Sequence, residues 1–264
     1  MHITIINDCH DDNAGGRQLA RTASLTGASV SLVGVGDYGD LSAAGNLIDV
    51  LDAYRASREV SAILVNVAPR HKGSKKWQNG TPFCHFKVGN TLVVSSFDGL
   101  TLSLIKKLGL VKEVFLMDIP TVTEAMVKDG AITNDERNRI ISSQFRSFDF
   151  TPLALAYLLK GNTVPAETSS INDIPQAPKA IWWIDNFGNA KTTVLPEEIG
   201  FKEGEKIQTA LGVFICYEHL ATVPKGESAL IIGSSGINQH RFVEIVVQGG
   251  SAKDRFDLSI GTEL

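Results

Sequence analysis

A basic segment, VAPRHKGSKKWQNG, runs from Val67 to Gly80 directly after an apolar run. It contains five Arg, His or Lys residues and no Asp or Glu. A loop that follows a buried strand is a common place for a ligand site in α/β proteins. These side chains therefore predict a site that binds a small anion or lowers the pKa of a water molecule. The alternative is that the lysines point to solvent, as most lysines do.

An acidic cluster, in INDCHDDNAGG, stands where the first apolar run gives way to a helix-like segment. Carboxylates in this position bind ribose hydroxyls as acceptors, or a hard cation. Capping of the helix N-terminus explains Asp11 or Asp12 and contributes about 1 kcal/mol. Capping leaves Asp8, at the strand end, as the candidate ligand-binding residue. His10 belongs to the same cluster. We predict no metal site here.

Three further motifs carry weaker signals. In WIDNFGNAKTT, Asp185 and Asn189 flank a tight turn, where they either stabilise the turn alone or converge on a polar ligand such as an amino acid. The GSSG motif around Ser234 lacks the context of a nucleophile elbow. The GVGDYG motif lacks the acidic residue that a dinucleotide-binding fold has at the tip of the next strand, since that tip is Asn66. GSSG and GVGDYG are both interpreted as turns.

Alternating strand-like and helix-like segments must position these residues in the first part of the chain. HITIIN and VSAILVNV are typical of buried strands, and DLSAAGNLIDVLDAYRAS has the apolar spacing of one helix face. PFCHFKVGNTLVVSS predicts a hairpin that turns at VGN. The pattern predicts an α/β domain over residues 1–161, with a mostly parallel sheet and helices on both faces.

The composition changes after residue 161. Residues 162–178 are rich in Pro, Ser, Thr and Asn and have little periodicity, which predicts a linker. Residues 179–264 contain short strand-like runs separated by Gly, Pro and Asn, without a convincing helix. This pattern predicts a small C-terminal all-β barrel.

Composition excludes several classes of protein. The 264 residues are 43% hydrophobic and 20% charged, which is ordinary for a soluble globular protein. The net charge of −4 argues against general nucleic-acid binding. Cys9, Cys84 and Cys216 lack metal-like spacing and favour a reducing compartment. Since the sequence shows neither a signal peptide nor an apolar run near the roughly 20 residues of a membrane span, we predict a cytoplasmic protein without membrane or nucleic-acid partners.

The order of the segments resembles, across nearly the whole chain, the family of S-adenosylmethionine hydroxide adenosyltransferases and their halogenase relatives. The shared series is a strand ending at Asp8, APRHKGSKK, SSFDGL, FRSFDFTP, IDNFGNAKTT, GSSG and VVQGGSA, and IDNFGNAKTT is the most specific match. The resemblance implies an α/β domain, a small β-barrel and a homotrimer with active sites between the N-terminal domain of one subunit and the C-terminal domain of the next. It also implies S-adenosylmethionine or an adenosine-like nucleoside as the ligand, and no cofactor.

The resemblance implies roles for individual residues as well. Asp8 would hold the ribose hydroxyls, and Asp185 and Asn189 would hold the amino acid moiety of methionine. Asp98 falls in the nucleoside pocket, where the family usually has Asn. The residues that would lie near the methionine carboxylate and the adenine are Ser234, Gln248 and Gly249.

The chain differs from the family at the positions whose residues activate the nucleophile. The hydrolytic branch typically uses an Asp, an Arg and a His to activate water. Here the Asp position is Ala68, the Arg position is Lys75 or Lys76, and the His position is Arg146. Ser147 falls where the halogenases keep a Ser, but their companion Tyr is absent.

Three functions follow from this pattern. The first is an S-adenosylmethionine hydrolase, in which His71, or a water held by Lys76 and Arg146, replaces the usual base. The second is a non-catalytic protein that binds S-adenosylmethionine or a nucleoside, favoured by Ala68. The third is anion-dependent adenosyl transfer, favoured by Ser147 and the basic segment. A basic pocket would also repel a sulfonium substrate, since a like charge about 4 Å away costs on the order of 4 kcal/mol at an effective dielectric of about 20.

Overall fold

The computed structural model describes residues 1–56, 59–68 and 82–264. The chain divides into two compact units, Met1–Pro175 and Gln176–Leu264. Each unit has its own sheet. Within the described ranges, every helix is too short or too polar to cross a membrane.

A seven-stranded sheet forms the centre of the first unit, in the order β2-β1-β3-β5-β4-β6-β7. Its strands are β1 (His2–Asn7), β2 (Ser29–Gly34), β3 (Ser61–Asn66), β4 (Phe83–Val88), β5 (Thr91–Ser96), β6 (Glu113–Met117) and β7 (Glu167–Ser170). Strands β1, β3 and β5 are buried along nearly their whole length. Such continuous burial is typical of strands that are covered on both faces.

This sheet is mixed, so the prediction of a mostly parallel sheet is wrong. Strands β2, β1, β3 and β5 pair in parallel, whereas β4 is antiparallel to both of its neighbours and β7 is antiparallel to β6. The reversal begins at the hairpin between β4 and β5, where Gly89 turns the chain with φ of 56°. A tight hairpin joins only antiparallel strands. The hairpin itself is confirmed, as is the α/β class of this unit.

The helices described in the first unit are α1 (Asp12–Thr26), α2 (Asp40–Tyr54), α3 (Ser103–Lys107), α4 (Ile119–Lys128), α5 (Asn134–Ile141), α6 (Arg146–Asp149) and α7 (Thr151–Leu159). Their ends follow local chemistry. The Asp11 carboxylate caps α1, which ends at Gly27 in the left-handed conformation. Thr133 and Glu136 form a capping box at the start of α5.

Five strands of the first sheet end at the same edge, which we name the carboxyl edge. Strand β6 runs in the direction of β1, β2, β3 and β5, because both β5 and β6 are antiparallel to β4. The residues that directly follow these strand ends therefore meet at one side of the unit. Among them are Asp8, Ala68 and Asp98. Ligand sites of α/β proteins occupy this position.

The side chain of Asn7, which is fully buried, fixes the chain at the carboxyl edge. Its Oδ1 accepts hydrogen bonds from the Cys9 N–H at 2.9 Å and from Asn66 Nδ2 at 3.0 Å, and its Nδ2 donates to the Cys9 carbonyl at 2.9 Å. Gln18 of α1, also buried, donates to the same carbonyl at 3.0 Å. The ends of β1 and β3 and the start of α1 are thus joined by buried amides.

Residues 162–178, predicted as a linker, contain β7 and a 3-10 turn at Ile171–Asp173. Strand β7 pairs with β6, and Lys106 of α3 donates to the carbonyls of Asn172 and Ile174 at 2.9 and 2.5 Å. A short edge strand of Glu, Thr and Ser lacks the apolar periodicity that marks a central strand. The first unit accordingly extends to Pro175.

The second unit is built on a six-stranded sheet in the order β10-β11-β12-β13-β9-β8. Its strands are β8 (Ile181–Ile184), β9 (Ala190–Thr192), β10 (Lys206–Thr209), β11 (Gly212–Tyr217), β12 (Ser228–Ile237) and β13 (His240–Val247), and one short helix, α8 (Ala252–Phe256), follows them. Phe214, Leu230 and Val243 are fully or almost fully buried in its core.

This β-rich sheet is open, so the predicted closed barrel is wrong. A barrel requires its two outermost strands to pair, whereas β10 and β8 form opposite edges of the sheet. Strands β8 and β9 have only four and three residues, which leaves few backbone groups to continue the ladder. Helix α8 was also missed by the sequence, since a helix of five residues carries too little periodicity.

Replacement of Asn7 by Ala is expected to lower the free energy of unfolding of the first unit by about 2–4 kcal/mol, because the Cys9 N–H and the Asn66 amide lose this partner and the Cys9 C=O keeps only Gln18. Urea unfolding followed by fluorescence measures this change. Asn162→Ala, at an exposed position of the same unit, is the matched control. An equal stability of the two variants would contradict a structural role for the Asn7 amide.

Candidate functional site

A cavity of ≈ 560 Å³ opens at the carboxyl edge of the first unit. The lining residues come from the segments after β1, β2 and β3 and from the entry into α6. The described lining consists of Asp8, Cys9, His10, Asp11, Asp37, Tyr38, Asn66, Ala68, Gln144, Phe145, Arg146 and Ser147. Elements that are distant in sequence thus contribute to one site.

Asp8 occupies the wall between β1 and β3. Its Oδ2 accepts a hydrogen bond from the Ala68 N–H at 2.9 Å, and its own N–H donates to the Asn66 carbonyl at 3.3 Å. The side chain is half-buried. Because Ala68 contributes its backbone here, the carboxylate of Asp8 is oriented without help from a side chain at position 68.

His10 and Asp11 lie on the loop between β1 and α1. Asp11 Oδ1 caps α1 by accepting from the N–H groups of Asn13 and Ala14 at 3.0 and 3.1 Å. The imidazole of His10 lies against Gly34, where an added Cβ would come within 2.7 Å of its Cγ. A glycine at the end of β2 therefore makes room for the ring.

GVGDYG forms a tight turn, in agreement with its interpretation from the sequence. The Gly39 N–H donates to the Gly36 carbonyl at 2.8 Å, and Tyr38 has φ of 58°. A left-handed backbone is uncommon for an aromatic residue and clusters at functional sites. This conformation places Asp37 and Tyr38 along the cavity.

Arg146 and Ser147 begin α6 and form another wall of the cavity. The Arg146 guanidinium lies 5.3 Å from the centre of the Phe83 ring, and burial lowers the pKa of this group from its ordinary value. Ser147 is buried. Ser143 Oγ fixes the segment by donating to Asp149 Oδ2 at 2.6 Å.

Two arginines of α1 contact the aromatic rings of the segment that contains Arg146. The guanidinium carbons of Arg17 and Arg21 lie 4.5 and 4.4 Å from the centre of the Phe148 ring, and Arg17 also lies over Phe145. The rings of Phe145 and Phe148 stack with centroids 5.6 Å apart. Cation–π contacts of this kind contribute about 0.5–1 kcal/mol each at exposed sites. Helix α1 thus contacts the Arg146 wall through arginine and the Asp8 wall through Gln18.

The described lining is acidic. It carries the carboxylates of Asp8, Asp11 and Asp37 against the guanidinium of Arg146. Burial raises the pKa of the Cys9 thiol, and the negative charges of Asp11 and Asp8 raise it further. This part of the cavity therefore favours a cationic ligand, whereas the basic side chains predicted after β3 lie outside the described residues.

The predicted site residues of the first unit divide into three groups. Asp8, Arg146 and Ser147 are brought together in the cavity. Asp98 follows β5 at the same edge but is not part of the described lining, and its Oδ1 accepts from the Gly99 N–H at 2.8 Å. His71 and Lys76 lie outside the described residues, as does Lys75.

In the second unit, Asp185 and Asn189 form the turn between β8 and β9. Asp185 Oδ1 accepts from the N–H groups of Phe187 and Asn189 at 2.8 and 2.9 Å, and Asn189 Nδ2 donates to Asp185 Oδ2 at 3.0 Å. The turn interpretation is confirmed. A role for these two side chains in binding an amino acid moiety stays a prediction.

The GSSG motif is not a simple turn. Ser234 lies inside β12, at an irregularity between Ile232 and Gly236 where the register with β13 shifts. The Ser234 N–H donates to Glu244 Oε1 at 3.3 Å. An added Cβ at Gly233 would lie 2.5 Å from the Glu244 side chain, so this strand approaches β13 closely.

Gln248 and Gly249 follow the end of β13. The Gln248 carbonyl accepts from the Gly226 N–H at 2.8 Å, its N–H donates to the Glu227 carbonyl at 3.0 Å, and Gly249 turns the chain with φ of 73°. Their ligand roles, like that of Ser234, stay predictions.

Several lining residues were not selected from the sequence as site residues. They are His10, Asp37, Tyr38, Asn66 and Gln144. The signal that was available for the first four is their position just after, or at, the end of an apolar strand-like run. Gln144 carried no such signal. No group of three potential metal ligands is found in the part of the chain that the structure describes.

The fold and the cavity define an α/β unit with a ligand site at the carboxyl edge of its sheet, followed in the chain by a β-rich unit. Residues 179–264 match the family model described as the SAM hydroxide adenosyltransferase C-terminal domain. The match covers the second unit, about a third of the chain, and there the resemblance predicted from the sequence is confirmed. At a general level, the chemistry of the family is adenosyl transfer from S-adenosylmethionine, which is its small-molecule substrate.

Solved structures support the same fold over almost the whole chain. An uncharacterized conserved protein from Thermotoga maritima is 15% identical, with a TM-score of 0.70, over 98% of this chain and 97% of its own. A conserved hypothetical protein from Thermus thermophilus is 18% identical, with a TM-score of 0.65, over 98% of this chain and 96% of its own. At these identities the likeness concerns the fold alone. No curated protein matches the chain.

The raised pKa of Cys9 makes a testable prediction about the acidic lining. Asp11→Asn removes one negative charge and keeps a residue that caps helices well. The pKa of the Cys9 thiol should fall, so that its alkylation by iodoacetamide at pH 8 becomes faster. Mass spectrometry of the Cys9 peptide against time measures the rate. Cys84 and Cys216 are buried and act as internal controls. An unchanged rate in Asp11→Asn would contradict an electrostatic effect of Asp11 on the cavity.

Proposed function

We propose that this protein hydrolyses S-adenosylmethionine by displacement at the ribose 5′ carbon and releases adenosine and L-methionine. The observation that carries the proposal is the acidic cavity at the carboxyl edge, with Asp8 oriented in its wall. The family of the second unit supports the choice of substrate. A cavity of ≈ 560 Å³ has the size of a small-molecule site.

Asp8 is the residue that we assign to the ribose. A carboxylate accepts hydrogen bonds only, and the two hydroxyls of a ribose are donors that suit it. The bond from the Ala68 N–H orients the Asp8 carboxylate before any ligand binds. A side chain that is already oriented loses less conformational freedom on binding.

The charge of the described lining also suits this substrate. S-adenosylmethionine carries a positive sulfonium, and the cavity presents the carboxylates of Asp8, Asp11 and Asp37. At an effective dielectric of about 20, opposite charges about 4 Å apart attract by on the order of 4 kcal/mol before screening. A neutral nucleoside would gain nothing comparable from the three carboxylates.

The reaction places few demands on the protein. Methionine leaves from the sulfonium as a neutral thioether, so no acid is needed to expel it. The site must hold water in line with the bond between the 5′ carbon and sulfur, and it must accept one proton. Positioning of this kind contributes several kcal/mol to catalysis. Arg146 suits the orientation of the water, because its guanidinium offers donors in a fixed plane.

The remaining sequence assignments belong to the same proposal. Asp185, Asn189 and Ser234 would bind the methionine moiety, and Asp98 would lie near the nucleoside. The backbone near Gln248 and Gly249 would contribute with them. The homotrimer and the cytoplasmic location that the sequence predicts are likewise part of this proposal.

A second function is favoured by the pairing of Arg146 with Ser147. A guanidinium and a hydroxyl in one wall could hold a small anion, and an anion such as chloride could then attack the 5′ carbon in place of water. Ala68 favours the other alternative, binding without turnover, because the acid that the hydrolytic branch uses is missing there.

Mass spectrometry of the purified protein incubated with S-adenosylmethionine, with and without chloride, separates these functions. Hydrolysis predicts adenosine and methionine in both buffers. Asp8→Ala should lower kcat/KM by about 10- to 100-fold, the effect of losing a hydrogen bond to a charged group. Asp12→Ala, at an exposed acid outside the cavity lining, should leave kcat/KM unchanged.

Other products would change the assignment. A 5′-chloroadenosine product that appears only with chloride would replace hydrolysis by anion-dependent transfer. Binding measured by calorimetry without any product would leave a binding protein. Adenosine release that is equal in Asp8→Ala and the native protein would remove Asp8 from the ribose site.

A further inference from the structure

We propose that His10 is the residue that accepts the proton of the attacking water. This inference rests on the proposed hydrolysis and names the base that Ala68 cannot supply. His10 lines the same cavity as Asp8 and Arg146. It stands on the loop between β1 and α1, two residues after Asp8.

The loop that carries His10 is held rigidly on both sides. Before it, the N–H and C=O of Cys9 are bound by the buried amide of Asn7, and the C=O is also bound by Gln18. After it, the Asp11 carbonyl accepts from the Gly15 N–H at 2.8 Å as α1 begins. A base carried on a fixed backbone keeps its position relative to the substrate, which catalysis requires.

The position of the ring is defined by the end of β2. An added Cβ at Gly34 would come within 2.7 Å of the His10 Cγ and within 2.8 Å of its Nδ1. Real Cβ atoms essentially never come this close to another atom, so a side chain at position 34 would require the imidazole to shift. The ring rests on the backbone of β2 while His10 is exposed at the cavity.

Other described groups of the lining are less suited to accept the proton. Asp11 caps α1 with its Oδ1, and the Cys9 thiol has a raised pKa, which keeps it protonated. Arg146 is cationic and has no acceptor. Asp8 is assigned to the ribose. An imidazole exchanges its proton near neutral pH and is the most common general base in enzymes.

Charged and titratable groups from three elements line the cavity together with His10. Asp8, Cys9 and Asp11 belong to its own loop, Asp37 and Tyr38 come from the segment after β2, and Arg146 comes from α6. Asp37 is an exposed carboxylate of the same lining, so its variant is compared with His10→Ala in the test below.

The step balances with water as the co-reactant. The water oxygen forms a bond to the 5′ carbon, and the bond from this carbon to sulfur breaks with its electron pair going to sulfur. One O–H bond of the water breaks, and its proton goes to a nitrogen of His10. The products are adenosine, neutral methionine thioether and an imidazolium, which returns its proton to solvent.

The test measures adenosine release against pH for the native protein and for His10→Ala, with affinity for S-adenosylmethionine measured by calorimetry. We expect His10→Ala to lower kcat by about 100-fold or more and to leave Kd within about threefold. The rise of kcat with pH that reports an imidazole should disappear, and added imidazole should restore part of the rate. His2→Ala is the matched control, because His2 lies at the other end of β1.

A second variant tests the geometry without removing the base. Gly34→Ala should lower kcat in the native background, where it displaces the ring, but should have no further effect in His10→Ala. If the decreases in kcat caused by Gly34→Ala and His10→Ala add in the double variant, the assignment of His10 is wrong.

Other results would overturn either the role of His10 alone or the proposed hydrolysis as well. His10→Ala with native kcat and native pH profile would overturn the role of His10 and leave hydrolysis standing. The same holds if Asp37→Asn or His71→Ala, and not His10→Ala, removes the pH dependence. A native protein that binds S-adenosylmethionine but releases no adenosine would overturn the hydrolysis itself, and with it this role.

Discussion

The buried amide of Asn7 is the interaction on which the candidate site depends. It joins the end of β1 to the end of β3 and holds both backbone polar groups of Cys9. An amide offers donors and acceptors together, so one side chain can satisfy an N–H, a carbonyl and a second amide. Asp8 and His10 flank Cys9, and their positions follow from this junction. The geometry of the cavity is thereby set by the core rather than by the surface.

Helix α1 connects the two walls of the cavity within the first unit. Gln18 binds the Asp8 wall by a buried hydrogen bond, whereas Arg17 and Arg21 contact the Arg146 wall through the rings of Phe145 and Phe148. The Cys9 carbonyl that Gln18 binds also accepts from Asn7, so two buried amides hold the Asp8 wall. The aromatic contacts are weaker and easier to break. The Asp8 wall is therefore joined to α1 by a buried hydrogen bond, and the Arg146 wall by cation–π contacts.

The sequence predicted the parts of this structure that depend on local pattern. Buried strands, the hairpin that turns at VGN and the capping acid before α1 follow from periodicity and from single residues. The mixed sheet and the strand character of 167–170 were missed, because both depend on which strands become neighbours. Asp8, Arg146 and Ser147 were identified by resemblance, and the structure brings them together. His10 was seen only as part of an acidic cluster, since its contact with Gly34 joins residues that are distant in sequence.

The hydrogen bond from the Ala68 N–H to Asp8 has a consequence for the evolution of the site. Every residue except proline carries a backbone N–H. Substitutions at position 68 can therefore change the reactive side chain while the orientation of Asp8 persists. At position 68, the backbone N–H orients Asp8, whereas the side chain is the part that a substitution changes. Under the proposed function, a lineage can change the side chain at position 68, keep the orientation of Asp8, and recruit a base from another loop.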